Sequence, residues 1–207
     1  MVFATTPASL DLTFQTDTGA SGTIWTSLEQ PDGKILIGGS FSSVHGVSIS
    51  GIARLNLDGS LDNSFTPPSS NGTVHDIIRL PDGKLLLGGY SFDSGNHKGV
   101  IRLNVDGSID ASFDAGTNIT DDIYTIELQS NGKILAGGDS IIRLNNDGSL
   151  DSSFDAGNGP NHNIWEIKYL ETGQILIGGD FTGFNGTDRR RIARLNTDGS
   201  IDPSFGW

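Results

Sequence analysis

Apolar residues in this chain occur in short runs bounded by turn residues, and the same arrangement returns four times. One phrase, DGKILIGG at residues 32–39, recurs with conservative changes at 82–89, 131–138 and 172–179. A second phrase, IARLNLDGSLDNSF at residues 52–65, recurs at 101–113, 142–154 and 192–205. No apolar spacing typical of an amphipathic helix persists for more than about two turns. The chain is therefore predicted to be all-β and built from four copies of one unit.

The segment 57–59, Leu-Asp-Gly, lies at the centre of the second phrase and can be tested as a hairpin loop. A three-residue loop with its glycine in the left-handed region places Leu55 opposite Leu61 and Arg54 opposite Asp62. A two-residue loop would place Leu55 opposite Asp62, which is a poorer match. The longer loop predicts one cross-strand ion pair in each unit: Arg54 with Asp62, Arg102 with Asp110, Arg143 with Asp151, and Arg194 with Asp202. We interpret these pairs as locks on the hairpins, and anion binding by the four arginines is the alternative.

Each unit is predicted to contain four strands, and a four-stranded meander cannot bury both of its faces alone. Copies of such a sheet bury their faces when they stack around an axis as the blades of a propeller. The paired glycines Gly38 and Gly39 fit the crowded inner part of a blade. The predicted fold is one β-propeller domain, residues 1–207, with four blades of four-stranded antiparallel sheet at about 23–65, 73–113, 122–154 and 163–205.

The order of these motifs resembles the delta-60 repeat family of bacteria and phages. The resemblance covers about residues 9 to 205 and rests on DGK-ILIGG, a phenylalanine, a polar loop that ends in glycine, and IARLN-x-DGS-LD-x-SF. It implies a β-propeller and brings no catalytic residues. The third unit departs from the pattern, because residues 137–140 run directly into the strand that begins at Ile141. A tight turn is predicted there in place of the longer middle loop.

The chain carries five copies of the last predicted strand for four blades. The extra copy, SLDLTF at residues 9–14, precedes the first unit, and SIDPSF at 200–205 ends the last one. In one interpretation the ring is closed and monomeric, with one terminal segment lying over the seam between blades. In the other it is an open arc or a swapped ring, and a terminal strand completes a neighbouring chain.

Alignment of the first strands on their turns gives a column of planar rings: Trp25, His75, Tyr124 and Trp165. The next column is polar: Thr26, Asp76, Thr125 and Glu166. Strand alternation predicts that the two columns face opposite ways. Aromatic faces beside carboxylates such as Asp76 and Glu166 suit sugars, so these rings and carboxylates are the candidate ligand-binding residues. The alternative is that the rings pack between blades and the polar column lines a wet channel.

Composition narrows the possible partners. The formal net charge of −12 disfavours nucleic acid. The absence of cysteine excludes thiol catalysis and thiolate metal sites. No apolar stretch is long enough to span a bilayer, so no membrane partner is expected. The first residues lack the features of a secretory signal, which predicts synthesis in the cytoplasm.

The sequence gives little support for metal or catalytic chemistry. Oxygen-bearing side chains alternate in the turns, but Gly59 comes too early for a calcium loop of the EF-hand type. The four histidines share no metal-ligand spacing, and no nucleophile or zinc motif is present. Asp76 and Glu166 would form a glycosidase-like pair only if they faced each other across a channel. No metal, cofactor or enzymatic activity is expected.

These observations predict a non-catalytic β-propeller that serves as an interaction or structural module. Its expected partners are proteins of a larger assembly or further copies of itself. The family resemblance makes a phage virion or tail accessory protein the expected setting. The alternative function is a lectin-like module that binds a glycan through the aromatic column.

Overall fold

The computed structural model describes residues 13–14, 17–68, 72–92, 97–116, 119 and 122–205. Within these residues the regular structure consists of strands only, and no helix is present that could span a membrane. The strands are β1 (Thr23–Glu29), β2 (Ile35–Ser40), β3 (Ser43–Val44), β4 (Val47–Ser48), β5 (Ile52–Leu55), β6 (Thr73–Arg79), β7 (Leu85–Phe92), β8 (His97–Leu103), β9 (Ile123–Leu128), β10 (Ile134–Gly138), β11 (Ile141–Leu144), β12 (Ile164–Tyr169), β13 (Ile175–Gly179), β14 (Gly183–Phe184), β15 (Thr187–Asp188) and β16 (Ile192–Leu195).

Four antiparallel sheets of three strands each correspond to the four sequence repeats and are called units 1 to 4. Their strand orders are β1-β2-β5, β6-β7-β8, β9-β10-β11 and β12-β13-β16. In each unit, the segment predicted to form the fourth strand makes a single bridge to its sheet, such as Leu55 with Leu61 in unit 1. The prediction of a fourth strand is therefore wrong. The chain turns away immediately afterwards, since Asp62 Oδ1 accepts a hydrogen bond from the backbone N–H of Ser64 at 3.0 Å. This local turn competes with further ladder pairing.

The hairpin loop has the predicted three-residue form. Gly59 has a φ of 83°, which favours glycine, and its N–H donates to the Asn56 carbonyl at 2.9 Å. Asp58 Oδ1 accepts from the N–H of Ser60 at 3.0 Å, a local bond typical of aspartate in turns. The same bridge register recurs in the other units, with Leu103–Ile109, Leu144–Leu150 and Leu195–Ile201. The sequence register is confirmed.

The units differ in the loop between their second and third strands. Unit 1 inserts the hairpin β3-β4 there, and unit 4 inserts the hairpin β14-β15. Unit 3 has the predicted tight turn, in which the N–H of Gly138 donates to the carbonyl of Ser140 at 2.9 Å.

The hydrophobic core lies between neighbouring sheets. Leu36 and Ile52 of unit 1 form one buried cluster with Ile77, Leu87 and Ile101 of unit 2. Similar clusters join unit 2 to unit 3 and unit 3 to unit 4. The first strands β1, β6, β9 and β12 lie side by side in that order, so they form the inner edge of a radial row. Burial of one such leucine contributes about 2 kcal/mol.

The extra outer strand predicted at 9–14 falls mainly outside the described residues, which include only Thr13 and Phe14 of it. Phe14 packs against the cluster of unit 1 that contains Ile37 and Ala53. Phe65, at the end of unit 1, lies in the corresponding cluster of unit 2. Phe14 therefore occupies on unit 1 the place that Phe65 occupies on unit 2.

Candidate ligand-binding cleft

A β-bulge places each of the four ring side chains. Ile24 pairs with Gly39 and Thr26 pairs with Gly38, so Trp25 is the extra residue of its strand. The same bulge, with the ring residue as the extra one, occurs in the other three units at His75, Tyr124 and Trp165. A bulge interrupts the alternation of side chains. Both columns consequently line one cleft, and the prediction that they face opposite ways is wrong.

The four rings form a continuous row across the units. The ring centroids are 5.8 Å apart for Trp25 and His75, and 5.0 Å apart for His75 and Tyr124. Tyr124 and Trp165 are 4.4 Å apart. The rings thus pack across unit boundaries, while Trp25 and Trp165 remain 56% and 47% exposed. The row combines inter-unit packing with two accessible indole faces.

Trp165 is held in a fixed orientation by a second contact. Its Nε1 donates a hydrogen bond to Asp180 Oδ2 at 2.8 Å. Together with the Tyr124 ring, this bond restrains the indole at the edge of the cleft, which has a volume of about 710 Å³. Asp122 adds a further carboxylate to the lining, and sequence comparison of the repeats had not singled it out.

Asp76 lines the cleft but is already engaged by the backbone. Its Oδ1 accepts from the N–H of Ile77 at 2.8 Å, and its Oδ2 accepts from the N–H of Ile126 in unit 3 at 2.9 Å. Burial raises the pKa of Asp76 in spite of these two bonds, and the negative charges of Glu166 and Glu127 act in the same direction. The carboxylate therefore ties unit 2 to unit 3 at the floor of the cleft.

Glu127 joins unit 3 to unit 4 in a similar way, and alignment of the repeats does not identify it. Its Oε1 accepts from the N–H of Tyr169 at 3.0 Å and from Lys168 Nζ at 2.8 Å. The available signal is a charged residue within a strand that carries no other charge, which cannot by itself identify a partner on the next unit. Glu166 lines the cleft beside Trp165, where it adds negative charge.

The two titratable rings at the centre of the row have shifted pKa values. Burial lowers the pKa of His75, although Asp122 opposes this shift. His75 is therefore neutral at pH 7. Burial raises the pKa of Tyr124, with further contributions from Asp122 and Asp139. The cleft presents neutral rings and anionic carboxylates, and the described residues contain no group of three acidic, histidine or cysteine side chains that could hold a metal ion.

All four Arg–Asp pairs are formed within their own units and none lines the cleft. Arg54 Nε donates to Asp62 Oδ2 at 2.8 Å, and the equivalent bonds in units 2, 3 and 4 measure 2.7, 2.6 and 2.8 Å. The arginine also lies over the phenylalanine that ends its unit, with the guanidinium carbon 4.7 Å from the Phe65 ring centroid in unit 1. These contacts fit a structural lock on the hairpin.

A lysine joins the ion pair in three of the units. Burial alone would raise the pKa of Asp62, but hydrogen bonds from Lys34, Ser64 and Arg54 hold it well below its usual range. Asp110 and Asp151 have the same environment in their units. Gln174 replaces the lysine in unit 4, where it donates to Asp202 at 2.7 Å.

A radial row of small antiparallel sheets, with their first strands on the inner edge, is the architecture of a β-propeller. A family profile described as the domain of unknown function (DUF5122) β-propeller matches residues 30–65, 80–113, 129–154 and 171–205, and the chain belongs to this family. The all-β propeller prediction is confirmed, while the delta-60 name does not appear in the description of that family and stays a prediction. No curated protein matches the chain.

Solved propellers share this fold at low sequence identity. Virginiamycin B lyase from Staphylococcus aureus is 20% identical, with a TM-score of 0.56 over 93% of this chain and 57% of that chain. PorZ, a surface component of the type-IX secretion system of Porphyromonas gingivalis, is 17% identical, with a TM-score of 0.57 over 86% and 26%. The WD40 propeller domain of Doa1 is 17% identical, with a TM-score of 0.55 over 76% and 48%. The chain spans less than two thirds of each of these structures.

Proposed function

We propose that this protein is a non-catalytic binding module and that the inner cleft binds a carbohydrate. The observation that carries this proposal is the pair of half-exposed indoles, Trp25 and Trp165, at the two ends of the ring row. Exposed aromatic faces stack on the C–H faces of sugars, while nearby carboxylates accept hydrogen bonds from hydroxyl groups. Glu166 supplies such an acceptor in the cleft.

The state of Asp76 supports a binding role over a catalytic one. A glycosidase requires one carboxyl group as a general acid and a second, accessible carboxylate as a general base or nucleophile. Asp76 instead accepts hydrogen bonds from two backbone amides, one of them on the next unit. The likeness to virginiamycin B lyase, at 20% identity, extends to the fold and brings no catalytic residue to this chain.

Titration with a panel of neutral oligosaccharides tests the cleft. Tryptophan fluorescence or calorimetry should detect binding by the unmodified protein, and Trp25→Ala should weaken it at least tenfold. Trp25 suits this test because its described ring contact is the 5.8 Å one with His75, so its loss disturbs less packing than loss of Trp165. Leu150→Ala, at a residue that is 57% exposed and outside the cleft, is the matched control. Unchanged affinity in Trp25→Ala and Trp165→Ala would refute the proposal.

A second candidate function is a structural role in a larger protein assembly, and a different observation favours it. Among the described residues, no neighbouring sheet covers the outer face of unit 4, whereas the same face of every other unit is covered. In this proposal the protein is made in the cytoplasm and acts in a phage virion or tail.

A further inference from the structure

Unit 4 ends the row with a sheet face that is covered in every earlier unit. Leu176, Ile192 and Arg194 lie on this face and are partly exposed. The equivalent leucine of each earlier unit is 0% exposed: Leu36, Leu86 and Leu135. Ile192 likewise corresponds to buried residues at Ile52, Val100 and Ile141. An apolar face of this kind is stable in water only to the extent that something covers it.

A glycine marks the closest approach between consecutive units. A Cβ atom added to Gly38 would lie 2.7 Å from Val74 Cγ1 and 3.0 Å from Ile77 Cδ1 of unit 2. Gly88 and Gly137 meet two isoleucines of the following unit in the same way. At Gly178 the nearest atom to an added Cβ is the carbonyl oxygen of Arg191, at 3.8 Å and in the same unit. Unit 4 therefore retains the small residue of the interface, although no described residue packs against it.

The arginine lock provides a polar contact with the next unit. Arg54 Nη1 donates to the carbonyl of Val105 at 2.9 Å. The corresponding bonds from Arg102 to Asn146 and from Arg143 to Thr197 measure 2.7 and 2.5 Å. Arg194 makes no bond of this type within the described ranges. By repeat position its acceptor would be the carbonyl of Leu57, a turn residue that is 75% exposed in unit 1.

The opposite end of the row exposes the first-strand part of the complementary surface, while Ile37, Ala53 and Leu55 of the same unit are buried in the single chain. Ile24 of the first strand is 47% exposed, and Trp25 beside it is 56% exposed. The residues equivalent to Ile24 in the other units pack on the glycine of the preceding unit and are 1% exposed or less: Val74, Ile123 and Ile164. Unit 1 thus carries the surface that unit 4 lacks.

We propose that a second copy of this chain covers the outer face of unit 4 with its unit 1. In this contact Ile24 of one copy packs against Gly178 and Leu176 of the other, and Arg194 donates to the carbonyl of Leu57. Two such contacts, related by a two-fold axis, join two chains head to tail in a closed ring.

In the isolated chain, Phe14 occupies part of the surface of unit 1 that this contact requires. Phe14 lies on unit 1 where Phe65 lies on unit 2, so Phe205 of the docking copy requires the same place. Closure of the ring therefore replaces Phe14 of one copy with Phe205 of the other. This exchange also accounts for five copies of the outer segment in a chain with four units, because one copy is displaced in the assembled state.

This inference names the partner for the assembly role and rests on that role. By repeat position, closure of the ring also brings Trp165 of one copy beside Trp25 of the other, so sugar binding is measured on Gly178→Val as well as on the unmodified chain. Light scattering after size-exclusion chromatography, over a range of protein concentrations, tests it. The unmodified chain should approach about 44 kDa, twice its mass of 21.9 kDa. Gly178→Val should remain at one chain mass, because its added methyl groups have space in the single chain but not in the ring. At low protein concentration, where the unmodified chain is also monomeric, the two melting temperatures should be equal. Ser152→Val, at an exposed loop position, should behave as the unmodified chain.

Three results would overturn the inference: one chain mass at every concentration, a two-chain species that persists in Gly178→Val, or an open series of larger masses. Phe14→Ala should tighten the association at least threefold, and weaker association would refute the exchange of phenylalanines. If no two-chain ring is observed but the chain binds sugar, this inference alone is refuted. If the ring forms but neither the single chain nor the ring binds sugar, the proposed cleft alone is refuted.

Discussion

The interface between units 1 and 2 and the end face of unit 4 are built from the same sequence motif, yet only the first is covered. Gly38 is enclosed by Val74 and Ile77, whereas no side chain of another unit in the described part of the chain lies near Gly178. Leu36 is completely buried, while Leu176 remains partly exposed. The comparison shows that each motif encodes half of an interface, and that the stability of a unit depends on its neighbour. Unit 4 therefore serves as an internal control for how much a neighbouring unit contributes to the stability of a unit.

Removing the aspartate of the ion pair should have the largest effect. Asp110→Ala leaves Arg102 and Lys84 without their buried partner and should lower the free energy of unfolding by about 3–5 kcal/mol. Asp202→Ala should lower it by only about 1 kcal/mol, because Arg194 is 26% exposed and Gln174 carries no charge. Urea unfolding of both variants measures the difference. Equal losses would show that the two units do not differ in the way described.

Enlarging the interface glycine should have the next largest effect. Gly38→Val forces methyl groups into Val74 and Ile77 and should destabilise the protein by about 1–3 kcal/mol. Gly178→Val should leave the single chain unchanged, since an added Cβ has no neighbour within 3.8 Å. Thermal unfolding at low protein concentration compares the two variants. A comparable loss in Gly178→Val would mean that the end face is covered in the monomer.

Acid should remove more stability from the covered units than from unit 4. The pKa of Asp110 is well below its usual range in the folded state, so the stability it provides is present above about pH 4 and is lost as pH falls through the folded pKa. Asp110→Asn should therefore flatten the fall of unfolding free energy between about pH 4 and pH 2 more than Asp202→Asn does. Denaturant titrations across this range provide the measurement, and equal slopes for the two variants would contradict the prediction.

The smallest expected effect concerns the first strand of unit 1. Ser27 stands where units 2, 3 and 4 carry isoleucine at Ile77, Ile126 and Ile167. Ser27→Ile restores the apolar contact seen at the internal interfaces and should tighten the association of two chains by about fivefold. Sedimentation equilibrium measures this change. Weaker association would show that the first strand of unit 1 does not dock as its counterparts do.

The features that sequence predicted correctly are local ones. The hairpin register followed from residues 54–62, because the turn at Gly59 and the match of Leu55 with Leu61 involve neighbours along the chain. The bulge at Trp25 was missed, because it depends on the pairing of Ile24 with Gly39 and Thr26 with Gly38. The number of strands was overestimated, since Asp62 starts a turn that ends the ladder after one bridge.

The composition of the candidate cleft could be predicted, but its geometry could not. Alignment of the repeats alone selects the four rings, Asp76 and Glu166. The bond from Asp76 to the amide of Ile126 joins two units and depends on their relative placement. The same applies to the open end of the row, because the rotation from one unit to the next is set by side-chain packing between sheets.

Disulfide trapping tests most directly whether the end face of unit 4 is an interface that lacks its partner. The chain contains no cysteine, so single Ile24→Cys and Gly178→Cys variants can be mixed and oxidised without competing thiols. The pair Gly38→Cys and Val74→Cys, within one chain, is the positive control for this geometry. The account predicts a disulfide-linked species of two chains that contains one copy of each variant. Formation of the internal disulfide without any link between the two single variants would contradict it.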